Sequence, residues 1–364
     1  MNKKIKIKTF VYVILSIFGL FVLYHLLVWE LYTSKIFQHD DKSKGIGDIG
    51  RISYQVDSLY PRKVEYKLPQ LHMNHKQTDD YNNIDMITLG DSFSNGGAGG
   101  LNAYYQDYLA TEYNIKILNL RKLINNDYDM FTLVLSLYNS GWLEKYRPKS
   151  ILIESSERGV YQRFTNKLNL NVSNIDFNSM VETVTHESPY VPELLQINTA
   201  NYKIPYYTMK YHFNNHAHKN VGKAKLSKDL FSLPNFKNQL LFHYSDIRNM
   251  ENNKNKIIEM NKNFNQLANI LKKLDIKLFF MPAVDKYDLY SSFIIDNGLP
   301  HNIFFEEFRN LKKDYIFIDT KAILLNLLNN NVKDVFYPDD THWSYKASEA
   351  IVKDSEFSIL NKKK

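Results

Sequence analysis

The sequence of 364 residues contains no cysteine. That absence excludes disulfides, thiol catalysis and cysteine-based zinc sites. The chain also has no net charge away from its ends. The formal charge is +7, but Lys3, Lys4, Lys6 and Lys8 lie at one terminus and Lys362, Lys363 and Lys364 at the other. With those seven set aside, the remaining basic residues equal the 39 acidic ones. A neutral body gives no electrostatic footing for nucleic acid. No internal repeat is visible. No phosphate loop is present either: Asn95–Gly100 is not followed by G-K-[ST], and a G-x-G-x-x-G reading fails at Asn102. No cofactor is expected. His212, His216 and His218 have a spacing that suits a metal, but few carboxylates lie nearby and a polar loop is the favoured reading, so no metal is expected.

What is present begins with one long apolar run. Thr9–Trp29 carries no formal charge and is long enough to cross a bilayer as a helix. Ser16 and His25 interrupt it mildly, and Tyr12, Tyr24 and Trp29 suit headgroup depth. No A-x-A site follows, which favours an uncleaved signal anchor over a cleaved signal peptide. The lysines before the run predict a cytoplasmic tail over 1–8 and an extracytoplasmic body, hence a single-pass protein of the cell membrane. Residues 30–80 are polar and mixed, and read as a spacer. Hydrophobic residues make up 44% and charged residues 23%, as in a globular domain. Tyr (26) and Phe (22) are plentiful, which suits a large core or sugar-facing surfaces.

From residue 81 the pattern alternates. Met86–Leu89, Lys116–Leu120, Ser150–Glu154, Lys277–Met281 and Tyr315–Asp319 read as strands. Asn102–Tyr113, Met130–Tyr146, Lys256–Leu274, Asn302–Lys312, Ala322–Leu328 and Tyr345–Lys353 read as helices, with Val335–Tyr337 short and extended. Strands separated by helices predict an α/β fold with a mostly parallel sheet. The rhythm breaks over 161–255, a stretch rich in Asn, Lys and Tyr that reads as an insertion or lid at the edge of the sheet. Within it, Tyr202, Tyr206, Tyr207 and Tyr211 suit sugar stacking or a core equally.

Two stretches carry chemistry. Gly90-Asp91-Ser92 ends the Met86–Leu89 strand and opens a glycine-rich loop, a way to lift a nucleophile clear of a sheet. Far downstream, Asp339-Asp340-Thr341-His342-Trp343 offers a base and an orienting carboxylate. Both follow strand ends, where open α/β sheets bind ligands.

Gly90-Asp91-Ser92-Phe93-Ser94 resembles the first block of the SGNH, or GDSL-type, hydrolases. Asp340-Thr341-His342-Trp343 resembles the D-x-H-W element of a subgroup that includes alginate and cell-wall polysaccharide O-acetyltransferases. Tyr146–Arg158 and Met281–Tyr290 are similar to two further segments of that subgroup. The resemblance spans Ile84–Asp354 and leaves out the insertion and the apolar helix. It implies a three-layer SGNH-like catalytic domain over 81–364 and a triad of Ser92, His342 and Asp340, with Asp339 in reserve because ordinary SGNH spacing selects it. It further implies a polysaccharide acceptor and a membrane-bound acyl-donor partner. No G-x-N-D block follows the third strand, so the Ser92 backbone N–H and the loop amides of Asn95, Gly96 and Gly97 are the oxyanion candidates, with Arg158 in a support role or a structural ion pair and Trp343 beside the histidine. The expected activity is O-acyl transfer, most simply of acetyl, to an extracytoplasmic glycan. An esterase or deacetylase with the same triad, and a non-catalytic glycan-binding protein, are the alternatives.

Overall fold

A computed structural model describes residues 3–37, 44–54, 60–61, 67–75, 81–124, 129–172, 177, 180, 192–213, 216–295 and 298–361. Its centre is a six-stranded sheet. In chain order the strands are β1 (Met73–Asn74), β2 (Met86–Leu89), β3 (Ile117–Asn119), β4 (Ser150–Ser156), β8 (Lys277–Ala283) and β9 (Ile316–Phe317). Their spatial order is β9-β8-β4-β2-β3-β1, and every pairing is parallel. The short runs M-I-T-L and S-I-L-I-E-S-S are buried along their whole length, as strands covered by helices on both faces must be. From β2 onward this is the doubly wound order 2-1-3-4-5, whose direction reverses between β2 and β4. Ligands bind at such a reversal, outside the carboxyl ends of the strands.

Seven helices flank the sheet: α3 (Tyr105–Tyr113), α4 (Met130–Asn139), α5 (Trp142–Tyr146), α8 (Lys254–Leu271), α10 (Phe304–Arg309), α11 (Thr320–Asn329) and α12 (Tyr345–Val352). Four of the seven are capped by a side chain. Asp129, Asn253, Asp319 and Ser344 each accept a first-turn amide. The helix expected over Met130–Tyr146 is two helices, because Gly141 takes a left-handed φ of 75° and breaks the run. Val335–Tyr337 forms no strand; Phe336 makes one isolated bridge with Trp343. One face of the core is an aromatic cluster in which Phe264 stacks on Phe280 at 4.1 Å and meets Phe131 and Phe164 edge-on.

Two parts differ from the sequence reading. In their described parts, residues 30–80 are not a spacer. β1 forms an edge of the central sheet, and a short helix, α2 (Asp48–Ser53), lies against the Asp339–Thr341 loop. The polar character of the stretch hides Ile46, Ile49 and Gly50, which are all buried. The insertion opens with α6 (Val160–Phe164), which packs into the main core, and continues as α7 (Ala200–Phe213) and an antiparallel sheet of β5 (His216–His218), β6 (Val221–Lys225) and β7 (Gln239–His243). That sheet does not extend the central one. Val221, Phe236 and Leu241 pack with Ile49 and Tyr211 in a small second core, so the insertion buttresses α2.

At the N-terminus, α1 (Lys3–Val28) continues through a π-helical turn at Trp29–Thr33. Lys6–Thr33 is long and apolar enough to cross a membrane, with a mean hydropathy of 2.4 over its most apolar window.

Candidate active site

The turn after β2 is held from below. Gly90 has no room for a Cβ, which would collide with Ser94 and Glu154. The Asp91 amide and the Ser94 amide and hydroxyl all donate to Glu154 Oε2, at 3.0, 3.2 and 2.8 Å. Burial first, then the Asp91 charge, hold the Glu154 carboxyl well above the usual range. Asp91 is the opposite case. Burial works to raise it, but the Arg163 guanidinium at 2.6 Å and the Ser156 amide at 2.8 Å outweigh that and hold it far below the usual range. An ionised carboxylate thus ties the nucleophile turn to the end of the neighbouring strand β4.

Ser92 Oγ lies 2.7 Å from His342 Nε2, and His342 Nδ1 lies 2.6 Å from Asp340 Oδ1. Residues 250 positions apart in sequence therefore meet at the reversal point of the sheet. Asp340 Oδ1 also accepts the His342 amide at 3.0 Å. A carboxylate on Nδ1 fixes the proton there and leaves Nε2 free to accept from the serine. Burial alone lowers the imidazole pKa. The Asp340 hydrogen bond and charge, with Asp48 behind, outweigh it and raise the group above its ordinary value.

Asp339 does something else. It is fully buried and accepts the Gly47 amide at 2.7 Å, while its carbonyl accepts from the Gly50 amide. It braces α2 rather than the imidazole.

Asp48, on α2, was not singled out from the sequence. Its carboxylate accepts from the Thr341 amide at 2.7 Å and hydroxyl at 2.5 Å, and stands 3.9 Å from His342 Nδ1. Burial and the Asp340 charge raise its pKa. The run Gly45-Ile46-Gly47-Asp48-Ile49-Gly50, apolar and glycine-rich within a polar stretch, is the signal that marks it as built structure. Asp48, Asp340 and His342 each offer one ligand atom within 4.8 Å of the others, the described group that could hold a metal. His342 Nδ1 is already engaged by Asp340, and the Asp48 carboxylate by Thr341.

Lys286 also went unassigned. It is fully buried, and its ammonium donates to the carbonyls of Tyr337, Pro338 and Asp340 at 2.7, 3.0 and 3.0 Å. It stands at the start of α9 (Lys286–Tyr290) and staples the histidine loop to the sheet. Burial pushes its pKa down to about 8 against the pull of Asp339 and Asp340.

The support residues sort as follows. The amides of Asn95 and Gly97 both donate to the Ser92 carbonyl, at 3.1 and 2.9 Å. They close the turn and are not aimed at an oxyanion. Gly96 sits in the left-handed region at φ 67°, under the Tyr104 ring. The Ser92 amide has no acceptor among the described residues, which makes it, with the Gly96 amide, a candidate oxyanion donor. A Cβ on Gly97 would strike the His342 ring, so glycine is needed there for close approach. Arg158, just after the end of β4, pairs with Asp285 at 2.7 Å and Asp246 at 3.2 Å. Burial lowers its pKa, and those two carboxylates more than reverse it. Trp343 is 5% exposed and tilts against Phe93 at 4.4 Å, while Phe93 meets the His342 ring edge-on. Both rings pack the base and neither faces open solvent.

The remaining candidates lie elsewhere. His218 Nδ1 accepts the Asn220 amide, and the side chains of His212 and His216 lie outside the described residues. Tyr211 is buried, Tyr207 stacks on Tyr54 at 5.4 Å, and Tyr202 and Tyr206 are exposed. A cleft of about 660 Å³ lined by Asp85, Lys116 and Lys149 opens at the amino ends of the strands, the edge opposite Ser92. Compared with protein-family models and with curated proteins, the chain gives no match.

Proposed function

We propose that the chain is a membrane-anchored serine O-acyltransferase of SGNH type that modifies an extracytoplasmic polysaccharide, with acetyl the simplest acyl group. The observation that carries the reading is the pair of hydrogen bonds Ser92–His342 and His342–Asp340, at 2.7 and 2.6 Å. In this reading His342 takes the serine proton as Oγ attacks the acyl carbonyl. The Ser92 amide meets the developing oxyanion. The leaving group departs with the proton from His342, and an ester on Ser92 remains. A sugar hydroxyl then attacks that ester, with His342 again the base, and Ser92 is restored.

Thr9–Trp29, within the apolar span Lys6–Thr33, is the anchor in this proposal, with the lysines from Lys3 to Lys8 cytoplasmic and the α/β body outside. Such an anchor holds the body at the membrane in which an acyl donor would reside. The test uses the full-length protein in detergent with an activated acetyl ester, with and without candidate glycans. Acetylated glycan is the expected product. Free acetate at the same rate with or without glycan assigns a hydrolase instead. No serine-dependent turnover of either kind overturns the catalytic reading.

A further inference from the structure

The insertion grips the last turns of the apolar helix. Tyr24 donates to the Asn201 carbonyl at 3.0 Å, and Trp29 Nε1 to the Pro192 carbonyl at 2.8 Å. His25 Nε2 lies 2.9 Å from the Leu194 carbonyl and its Nδ1 2.9 Å from Asn201 Nδ2. Thr33 Oγ1 donates to Asn201 Oδ1 at 2.6 Å. Asn201 is fully buried in this joint. The position of α7 beside the helix is therefore fixed by side chains, not by chance proximity.

Depth follows from helix geometry. Lys8 to Trp29 spans about 31 Å at 1.5 Å per residue, which matches a hydrocarbon core of about 30 Å. With Trp29 at the outer boundary, Phe21 lies about 12 Å deeper along the axis. The Phe21 ring is 6.2 Å from Tyr202, the third residue of α7. A helix that touches Phe21 and Tyr24 cannot stand clear of the bilayer that Thr9–Trp29 crosses.

The sequence of α7 fits such a place. At about 100° per residue, Ala200, Ile204, Tyr207 and Tyr211 fall within about 60° of one another and face the domain. Ala200, Ile204 and Tyr211 are buried. Tyr202, Tyr206, Met209 and Phe213 fall within about 60° on the opposite side, and they are 42, 54, 59 and 81% exposed. Lys203 and Lys210 lie together on one flank between the two faces. Leu195 and Ile197, just before the helix, are 86 and 73% exposed. A second apolar face costs solubility in water. It is what a helix in the plane of the headgroups needs, with lysines along its border and aromatic residues at the boundary.

We infer that α7 and the turn before it lie in the outer headgroup region of the same bilayer, with Tyr202, Tyr206, Met209 and Phe213 facing lipid. The inference rests on the anchor reading of Lys6–Thr33. It makes the insertion a second foot, so the body is held at a fixed height and angle over the membrane rather than swinging on one helix.

The absence of cysteine makes the test direct. Met209→Cys, Phe213→Cys, Ile17→Cys and Asn255→Cys are each made in the full-length chain and labelled with a polarity-sensitive fluorophore. Each is reconstituted in phosphatidylcholine–phosphatidylglycerol vesicles carrying a nitroxide near the acyl carbonyl. Labels at 209 and 213 are expected to shift to the blue and lose most of their emission to the nitroxide, while resisting aqueous iodide. Asn255 should show the reverse. If 209 and 213 are quenched by iodide while Ile17 is shielded by lipid, the anchor stands and the inference falls. If Ile17 is itself open to iodide, the anchor reading fails and the inference with it. Shielding of 209 and 213 only when a second membrane protein is added would assign this face to that protein and also overturn the inference.

Discussion

Replacing the carboxylate on His342 separates the triad from its neighbours. Asp340 Oδ1 accepts two donors, the His342 amide and Nδ1, and Oδ2 accepts the Asp48 amide at 3.2 Å. Asp340→Ala removes the acceptor that keeps the proton on Nδ1. The imidazole is then free to carry its proton on Nε2, where it cannot accept from Ser92. Loss of an orienting carboxylate in a serine triad lowers turnover by about 10⁴, which is roughly 5.4 kcal/mol in the barrier. Asp340→Asn should be about as damaging: its NH2 group must face either the Asp48 amide or His342 Nδ1, so the productive tautomer is no longer held. Asp339→Asn should change turnover by less than about tenfold, because Asp339 holds Gly47 and not the imidazole. Its cost falls on stability, about 1–3 kcal/mol for a buried acceptor that loses its charge. Burst-phase acylation by an activated ester, measured on all three variants, checks the order. A dead Asp339→Asn beside an active Asp340→Ala would refute this reasoning and restore the ordinary SGNH spacing.

Three more outcomes are expected. Because the resting His342 pKa is raised and the base must be neutral, acylation should climb with pH along a limb centred above pH 6.5; Asp48→Asn removes a charge that raises it, so a kcat/KM profile should show that limb shifted to lower pH. Gly97→Ala should push the imidazole off Ser92 and cut acylation by at least about 10²-fold while leaving the melting temperature close to wild type, since a misplaced catalytic group costs that much. Phe264→Ala, in the aromatic cluster far from the site, should cost about 3–5 kcal/mol in denaturant unfolding and leave the acylation rate of the folded protein unchanged.

The strands of the central sheet were legible because a parallel strand covered on both faces is a plain apolar run with polar ends, as at Met86–Leu89. Ser92, His342 and Asp340 were legible because each stands in a short motif at a strand or bridge end. Asp48 was not, since nothing local in a polar stretch says that it will dock 292 residues away on the histidine loop. Lys286 stands in the Met281–Tyr290 segment, but its role was not legible there: three backbone carbonyls as partners leave no trace in side-chain spacing. Glycine-rich character marks a tight turn, but whether its N–H groups face a ligand or its own carbonyl depends on the dihedrals, and here those of Asn95 and Gly97 face the Ser92 carbonyl. The two apolar faces of α7 cancel in any single amphipathic pattern, which is why that helix read as an irregular stretch.

The central claim is that Ser92 is an activated nucleophile that carries an acyl group. Intact-protein mass spectrometry of the full-length chain, quenched in acid after brief exposure to an activated acetyl ester, reads this directly. The account predicts one added acetyl group, mapped to the peptide containing Ser92, absent in Ser92→Ala and strongly reduced in His342→Ala. Acetylation that persists undiminished in Ser92→Ala, or no adduct on the wild-type protein while the ester is still being turned over, would contradict it.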